Sequence, residues 1–114
     1  MREEDYTEIK KAVEEAGFFT TYYPTDDGEV WIVLATRRTK SGLHGNSIRV
    51  SLKAGRWYVM TWAVFYYLVP PDADLIALCL ECLRASPWDH GRIPVEIAAR
   101  YQLLQVSDED YDRA

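Results

Sequence analysis

Ile48, Val50 and Leu52 alternate with Arg49, Ser51 and Lys53. This period of two marks a strand with one apolar and one polar face. Ala54-Gly55 follows as a tight turn into "RWYVMTW", residues 56–62. With a two-residue turn, Leu52 falls opposite Trp57, Val50 opposite Val59 and Ile48 opposite Thr61. Ile48, Val50, Leu52, Trp57 and Val59 then share the core face. Arg49, Ser51, Lys53, Arg56, Tyr58, Met60 and Trp62 share the other, and a one-residue slip would exchange the two sets. A bend at Ala63-Val64 leads to a further short strand, "FYYLV" (65–69), and Pro70-Pro71 ends the sheet because proline cannot donate to a ladder.

Upstream, Tyr6, Ile9, Ala12, Val13 and Ala16 recur at helical spacing over residues 3–16, with Gly17 as the stop. "FFTTYYP" (18–24) and "EVWIVLAT" (29–36) are aromatic and β-branched, and "PTDDG" between them predicts a hairpin. "RRTKSGLHGN" (37–46) is polar and broken by glycines, which predicts a loop. Downstream, Asp72 or Asp74 caps a helix running to about Ala85. Its residues Leu75, Ile76, Leu78, Cys79, Leu80, Cys82 and Leu83 leave no broad polar face, so it is central and buried. Ser86-Pro87 stops it. "IPVEIAARY" predicts a short helix with Pro94 in its first turn. "LLQV" packs back, and "SDEDYDRA" (107–114) is expected to fray as an acidic tail. The order predicts one α+β domain over residues 1–114. Its antiparallel meander has four to five strands, with an N-terminal helix and two C-terminal helices mainly on one face.

Composition refines this picture without changing it. A length of 114 residues suits one core, and 48% hydrophobic with 27% charged residues is an ordinary globular balance. The uncharged run from Trp57 to Pro71 is shorter than the roughly 20 apolar residues of a membrane span. "MREEDYTEIKK" has no apolar core and does not read as a signal peptide. Two cysteines without a secretion signal predict free thiols in a cytoplasmic protein. The net charge of −5 hides an asymmetry: from Val30 to Pro71 there is no Asp or Glu, only Arg37, Arg38, Lys40, Arg49, Lys53 and Arg56. Strands exclude acids for reasons of propensity, and the same pattern suits a basic face that meets an anionic partner.

Catalytic and metal chemistry find little support. Cys79 and Cys82 form a C-x-x-C in the second half of a helix, where the dipole disfavours a thiolate, so they read as buried, inert thiols. A zinc site adding His90 lacks a fourth ligand. Ser47 lies near His44 in sequence, and Asp89 precedes His90. No G-x-S-x-G elbow is present, and neither grouping makes a catalytic triad. Arg37, Arg38, Lys40 and His44 are candidates for an anion site, without phosphate-loop spacing. Asp26 and Asp27 are turn formers. No catalytic residue, metal site or cofactor is assigned.

The outer sheet face carries the strongest signal. Arg49, Lys53 and Arg56 interleave with Tyr58, Met60 and Trp62, where a solvent face would carry Thr, Lys and Glu. Aromatics, Met and Arg are enriched at interfaces. Either the C-terminal segment folds across this face, or it meets a partner, a second copy included. Single-stranded nucleic acid is disfavoured by the acidic balance and the missing RNA-recognition signature. The element order resembles, in outline, the small α+β domains of type III secretion chaperones. Those are dimeric, acidic, cytoplasmic proteins with helices on a twisted antiparallel sheet. The resemblance implies a protein-binding module and assigns no residues. It departs in one respect, since a helix usually interrupts those strands and here they run consecutively. The expectation is a cytoplasmic, non-catalytic, chaperone-like interaction domain, homodimeric, with no membrane contact. The alternative is a small hydrolase or ligand-binding enzyme with a polar cleft near His44 and His90.

Overall fold

Tyr6 closes a single 3-10 turn, Glu3–Tyr6, that runs into helix α1 (Thr7–Glu15). Tyr6, Ile9 and Val13 form its buried stripe. At its end the Gly17 N–H donates to the Glu14 carbonyl (3.0 Å) and the Phe18 N–H to the Val13 carbonyl (3.1 Å). Gly17, at φ +92°, supplies the left-handed residue that this helix stop requires. The computed structural model describes residues 3–63, 65–89 and 91–114.

Strands β1 (Phe19–Pro24) and β2 (Val30–Thr39) form the expected hairpin. Strand β3 (Gly42–Lys53) then pairs with β2, and β4 (Arg56–Met60) with β3. Leu52 lies opposite Trp57 and Val50 opposite Val59. Ala54 (φ 52°) and Gly55 (φ 74°) both take the left-handed conformation that a two-residue hairpin turn demands. Strand β5 is Tyr66–Leu68. Helix α2 (Leu75–Arg84) starts where the Asp74 carboxylate accepts the Ala77 N–H (3.0 Å), and helix α3 is Val95–Arg100.

Three expectations need correction. Residues 37–46 are not a loop: β2 and β3 run through them as a two-stranded arm, turning at Lys40-Ser41. Ala35 pairs with Ser47 and Arg37 with His44, so Gly45 and Asn46 together oppose Thr36 in a bulge. The arm pairs only with itself, so ladder hydrogen bonds hold it without an apolar face. Its polar composition therefore hid the strands. Second, the sheet has six strands. Leu104–Val106 forms β6 beside β5, giving the order β1-β2-β3-β4-β5-β6, every pair antiparallel. Third, the segment expected to fray forms helix α4 (Asp108–Arg113), capped by the Ser107 hydroxyl accepting the Asp110 N–H (3.1 Å).

The layers follow from the alternation. Ile32, Leu34, Ile48, Val50, Val59 and Tyr67 face α1, α2 and α3 in the main core. On the opposite face Tyr58, Met60 and Tyr111 form a second, smaller cluster with Trp31, Tyr66, Leu68 and Val106 packed against it. The antiparallel α+β class is as the alternation predicts. Among the described residues no helix is long and apolar enough to cross a membrane.

Candidate functional site on the outer sheet face

Strand alternation sends Trp31 from β2, Arg49, Ser51 and Lys53 from β3, and Tyr58 and Met60 from β4 to the face away from the main core. Helix α4 crosses part of that face and inserts Tyr111. Its ring is 5% exposed and meets Tyr58 edge-on at 4.9 Å, Tyr66 at 4.7 Å and Trp31 at 6.4 Å. The Tyr111 and Ser51 hydroxyls share a hydrogen bond of 2.8 Å. The Lys53 ammonium donates to the Tyr111 carbonyl (2.6 Å) and lies 4.3 Å from the ring centroid. Burial raises the Tyr111 phenol above its ordinary range, opposed by the Ser51 hydrogen bond. A cavity of about 100 Å³ remains beside the ring, lined by residues including Thr25, Trp31, Ser51, Lys53 and Asp112.

Beyond α4 the face is open and ordered by stacking. Tyr23 stacks on Trp31 at 6.0 Å. The Arg49 guanidinium lies 5.0 Å from the Trp31 ring and 4.7 Å from the Trp62 ring. It donates from Nη2 to the Thr61 carbonyl (2.6 Å), while among the described residues its buried Nε has no hydrogen-bond partner. Desolvation lowers the Arg49 pKa from its ordinary value. The Trp62 indole N–H donates to the Ser47 hydroxyl (2.6 Å), which fixes the ring although Trp62 is 45% exposed. Tyr23 is 46% exposed. The result is a continuous row, Tyr23–Trp31–Arg49–Trp62, with a cation held between two indoles.

Comparison with protein-family models, with curated proteins and with solved structures gives no match.

Of the six residues singled out on this face, Arg49, Lys53, Tyr58 and Met60 converge there, and Arg56 stands exposed at the start of β4, opposite Lys53. Tyr58 and Met60 are not open surface: Met60 is 0% exposed, because α4 and Arg49's neighbours close over it. Trp62 reaches the face from the turn after β4 rather than from a strand position. Tyr23, Trp31 and Tyr111 were not singled out by the sequence reading. Trp31 was accessible to it, since it alternates with the core residues Ile32 and Leu34. Tyr111 was signalled only as an aromatic among acids.

The weak anion candidates separate along the arm. Arg38 folds back, donating to the Thr20 carbonyl (3.2 Å) with its guanidinium over the Phe19 ring. Lys40 is exposed at the turn. Arg37 and His44 border an open cleft of about 670 Å³ with Leu83, Pro87 and Trp88. His44 bonds the Ser41 hydroxyl through Nε2 (2.8 Å), not Ser47. Among the described residues no hydrogen bond joins that histidine to a carboxylate, so the pair lacks the third group that orients a catalytic base. Asp89 accepts the Gly91 N–H (2.8 Å) in a local turn, and His90 lies outside the described residues. Cys79 and Cys82 are buried free thiols, with burial pushing the Cys82 thiol up to about 12. Among the described residues no group of three or more His, Cys, Asp or Glu side chains is placed to hold a metal ion.

Proposed function

We propose that this chain is a non-catalytic, chaperone-like protein-interaction domain that binds through the outer face of its sheet. The observation that carries the reading is the row Tyr23–Trp31–Arg49–Trp62. Tyr and Trp offer large contact area with few rotors, and stacking has already removed much of their freedom. Trp, Tyr and Arg are the residue types that dominate binding energy at interfaces. The homodimer and the cytoplasmic setting belong to the same reading, with a second copy as one form the partner can take. Of the hydrolase alternative's two histidines, His44 stands exposed on the arm beside Ser41, and His90 lies outside the described residues.

Affinity capture from the native host, with mass spectrometry, tests it. Immobilised wild-type chain is compared with folded Trp62→Ala and Tyr23→Ala variants, and light scattering reports self-association. The expected result is a defined set of proteins, or a dimer, retained by the wild type and lost from both variants. Identical retention by all three would exclude the row as the binding surface.

A further inference from the structure

Helix α4 lies outside the main core and joins the smaller cluster through a single residue. Its six residues bury Tyr111 alone, while Asp108, Glu109, Asp110, Asp112 and Arg113 are exposed. An isolated helix this short does not hold itself together in water, so its order depends on the socket that receives Tyr111. That socket is specific on three sides. Tyr58, Tyr66 and Trp31 enclose the ring, Ser51 meets the hydroxyl, and Lys53 meets the carbonyl at the C-terminal end of the helix, where a cation is favoured. The fit is incomplete, because the cavity of about 100 Å³ beside the ring remains.

We infer that the Tyr111 socket is a recognition site for an acidic, tyrosine-bearing segment of a partner protein, and that α4 occupies it as an exchangeable substitute. The inference rests on the outer-face reading and names the partner's chemistry. Charge complementarity gives the acidic preference: strands β2 to β5 bring Arg49, Lys53 and Arg56 to this face and no carboxylate, since residues 30–71 contain none. Asp27 and Glu29, from the β1–β2 turn, line the cavity beside the ring together with Asp112 and Lys53, so the cationic surface that an acidic segment meets is the strand face rather than that cavity. Exchange of α4 between two copies is disfavoured by reach. Ser107 alone joins β6 to α4, and one residue spans roughly 3.5 Å. The helix cannot cross to another sheet unless β6 unpairs from β5. A partner's segment meets no such tether.

The probe is a synthetic peptide of residues 107–114, SDEDYDRA, added to isotope-labelled full-length protein and followed by amide chemical shifts. Tyr111→Ala empties the socket. Asp110→Lys, an exposed position, loosens α4 without touching the socket and serves if the alanine variant is poorly folded. The expected result is saturable binding to either variant, with shifts centred on Ser51, Lys53 and Tyr58, at a Kd on the order of 0.1–1 mM. Wild type should bind at least tenfold more weakly, because α4 competes. A peptide with Ala in place of Tyr, and the Lys53→Ala exchange in the Tyr111→Ala background, should each abolish binding. Absence of binding to both folded variants would overturn the proposal. Equal binding of a peptide with Asn and Gln for its acids would overturn the acidic assignment. A wild-type dimer that dissociates in Tyr111→Ala would overturn it in favour of exchange between copies. If the peptide fails to bind while capture through Trp62 persists, this inference falls and the broader interaction reading stands.

Discussion

Tyr6→Phe removes one oxygen atom and should cost about 2 kcal/mol. The β2–β3 ladder begins with Ile32 opposite Val50. One rung outward, the strands splay, and the Tyr6 hydroxyl is spliced between them. It accepts the Leu52 N–H (3.2 Å) and donates to the Val30 carbonyl (2.6 Å). The ring itself is 0% exposed and meets Trp57 edge-on at 5.9 Å. Phenylalanine keeps the ring and strands both backbone groups. A fully buried unsatisfied group costs about 1–3 kcal/mol. Val30 and Leu52 are half-buried and border the cavity beside Tyr111, so one water can reach them. The low end for each group therefore applies, which sums to about 2 kcal/mol. Tyr6→Leu loses ring packing as well and should cost about 4 kcal/mol. Urea unfolding followed by circular dichroism measures both, with the slope on denaturant unchanged. Amide exchange adds a local check, since Leu52 should lose protection in Tyr6→Phe. A loss below about 0.5 kcal/mol, with Leu52 still protected, would show that the hydroxyl bridge contributes nothing and that Tyr6 acts by packing alone.

Burial is the first cause that raises the phenols of Tyr6, Tyr66, Tyr67 and Tyr111 above 10.0. The folded state therefore favours their neutral forms, so their contribution is complete below pH 10.0 and lost as pH climbs through the raised values. Circular dichroism from pH 8 to 12 should show unfolding begin only above that point, with phenolate absorbance appearing later in native protein than in urea; coincident titrations would contradict it. Met60→Lys should unfold the chain, because it buries a charge at a site with 0% exposure, whereas Trp62→Lys should leave the melting temperature within a few degrees and disturb only binding; thermal melts of the two single variants decide, and equal stability would mean that Met60 is not enclosed. Gly45→Ala should cost roughly 2–4 kcal/mol by urea unfolding, since Gly45 has φ +80° and a Cβ there would collide with the Thr36 hydroxyl; a cost below 1 kcal/mol would mean that the bulge relaxes.

The local chemistry of the chain determined most of its elements. Gly17 stops α1, Asp74 starts α2, and Ala54-Gly55 sets the turn that places Arg49 and Met60 on one face and Val50 and Val59 on the other. Each of these acts over a few residues, through a left-handed φ, a side-chain cap or an alternation of two. Tertiary structure decided what distant segments do to one another. Three residues of β6 carry too little pattern to declare a strand, and they become one because β5 offers an open edge. The polar arm at 37–46 is extended because its two strands satisfy each other's backbone. Alternation showed which face Tyr58 and Met60 occupy, but whether that face is open depended on Tyr111, far along the chain in an acidic stretch that reads as solvated. Arg49 likewise acquired its setting from Trp31 on the preceding strand and Trp62 in the turn after β4. Burial is a property of what packs over a residue, and that cover is supplied by parts of the chain whose sequence carries no record of the contact.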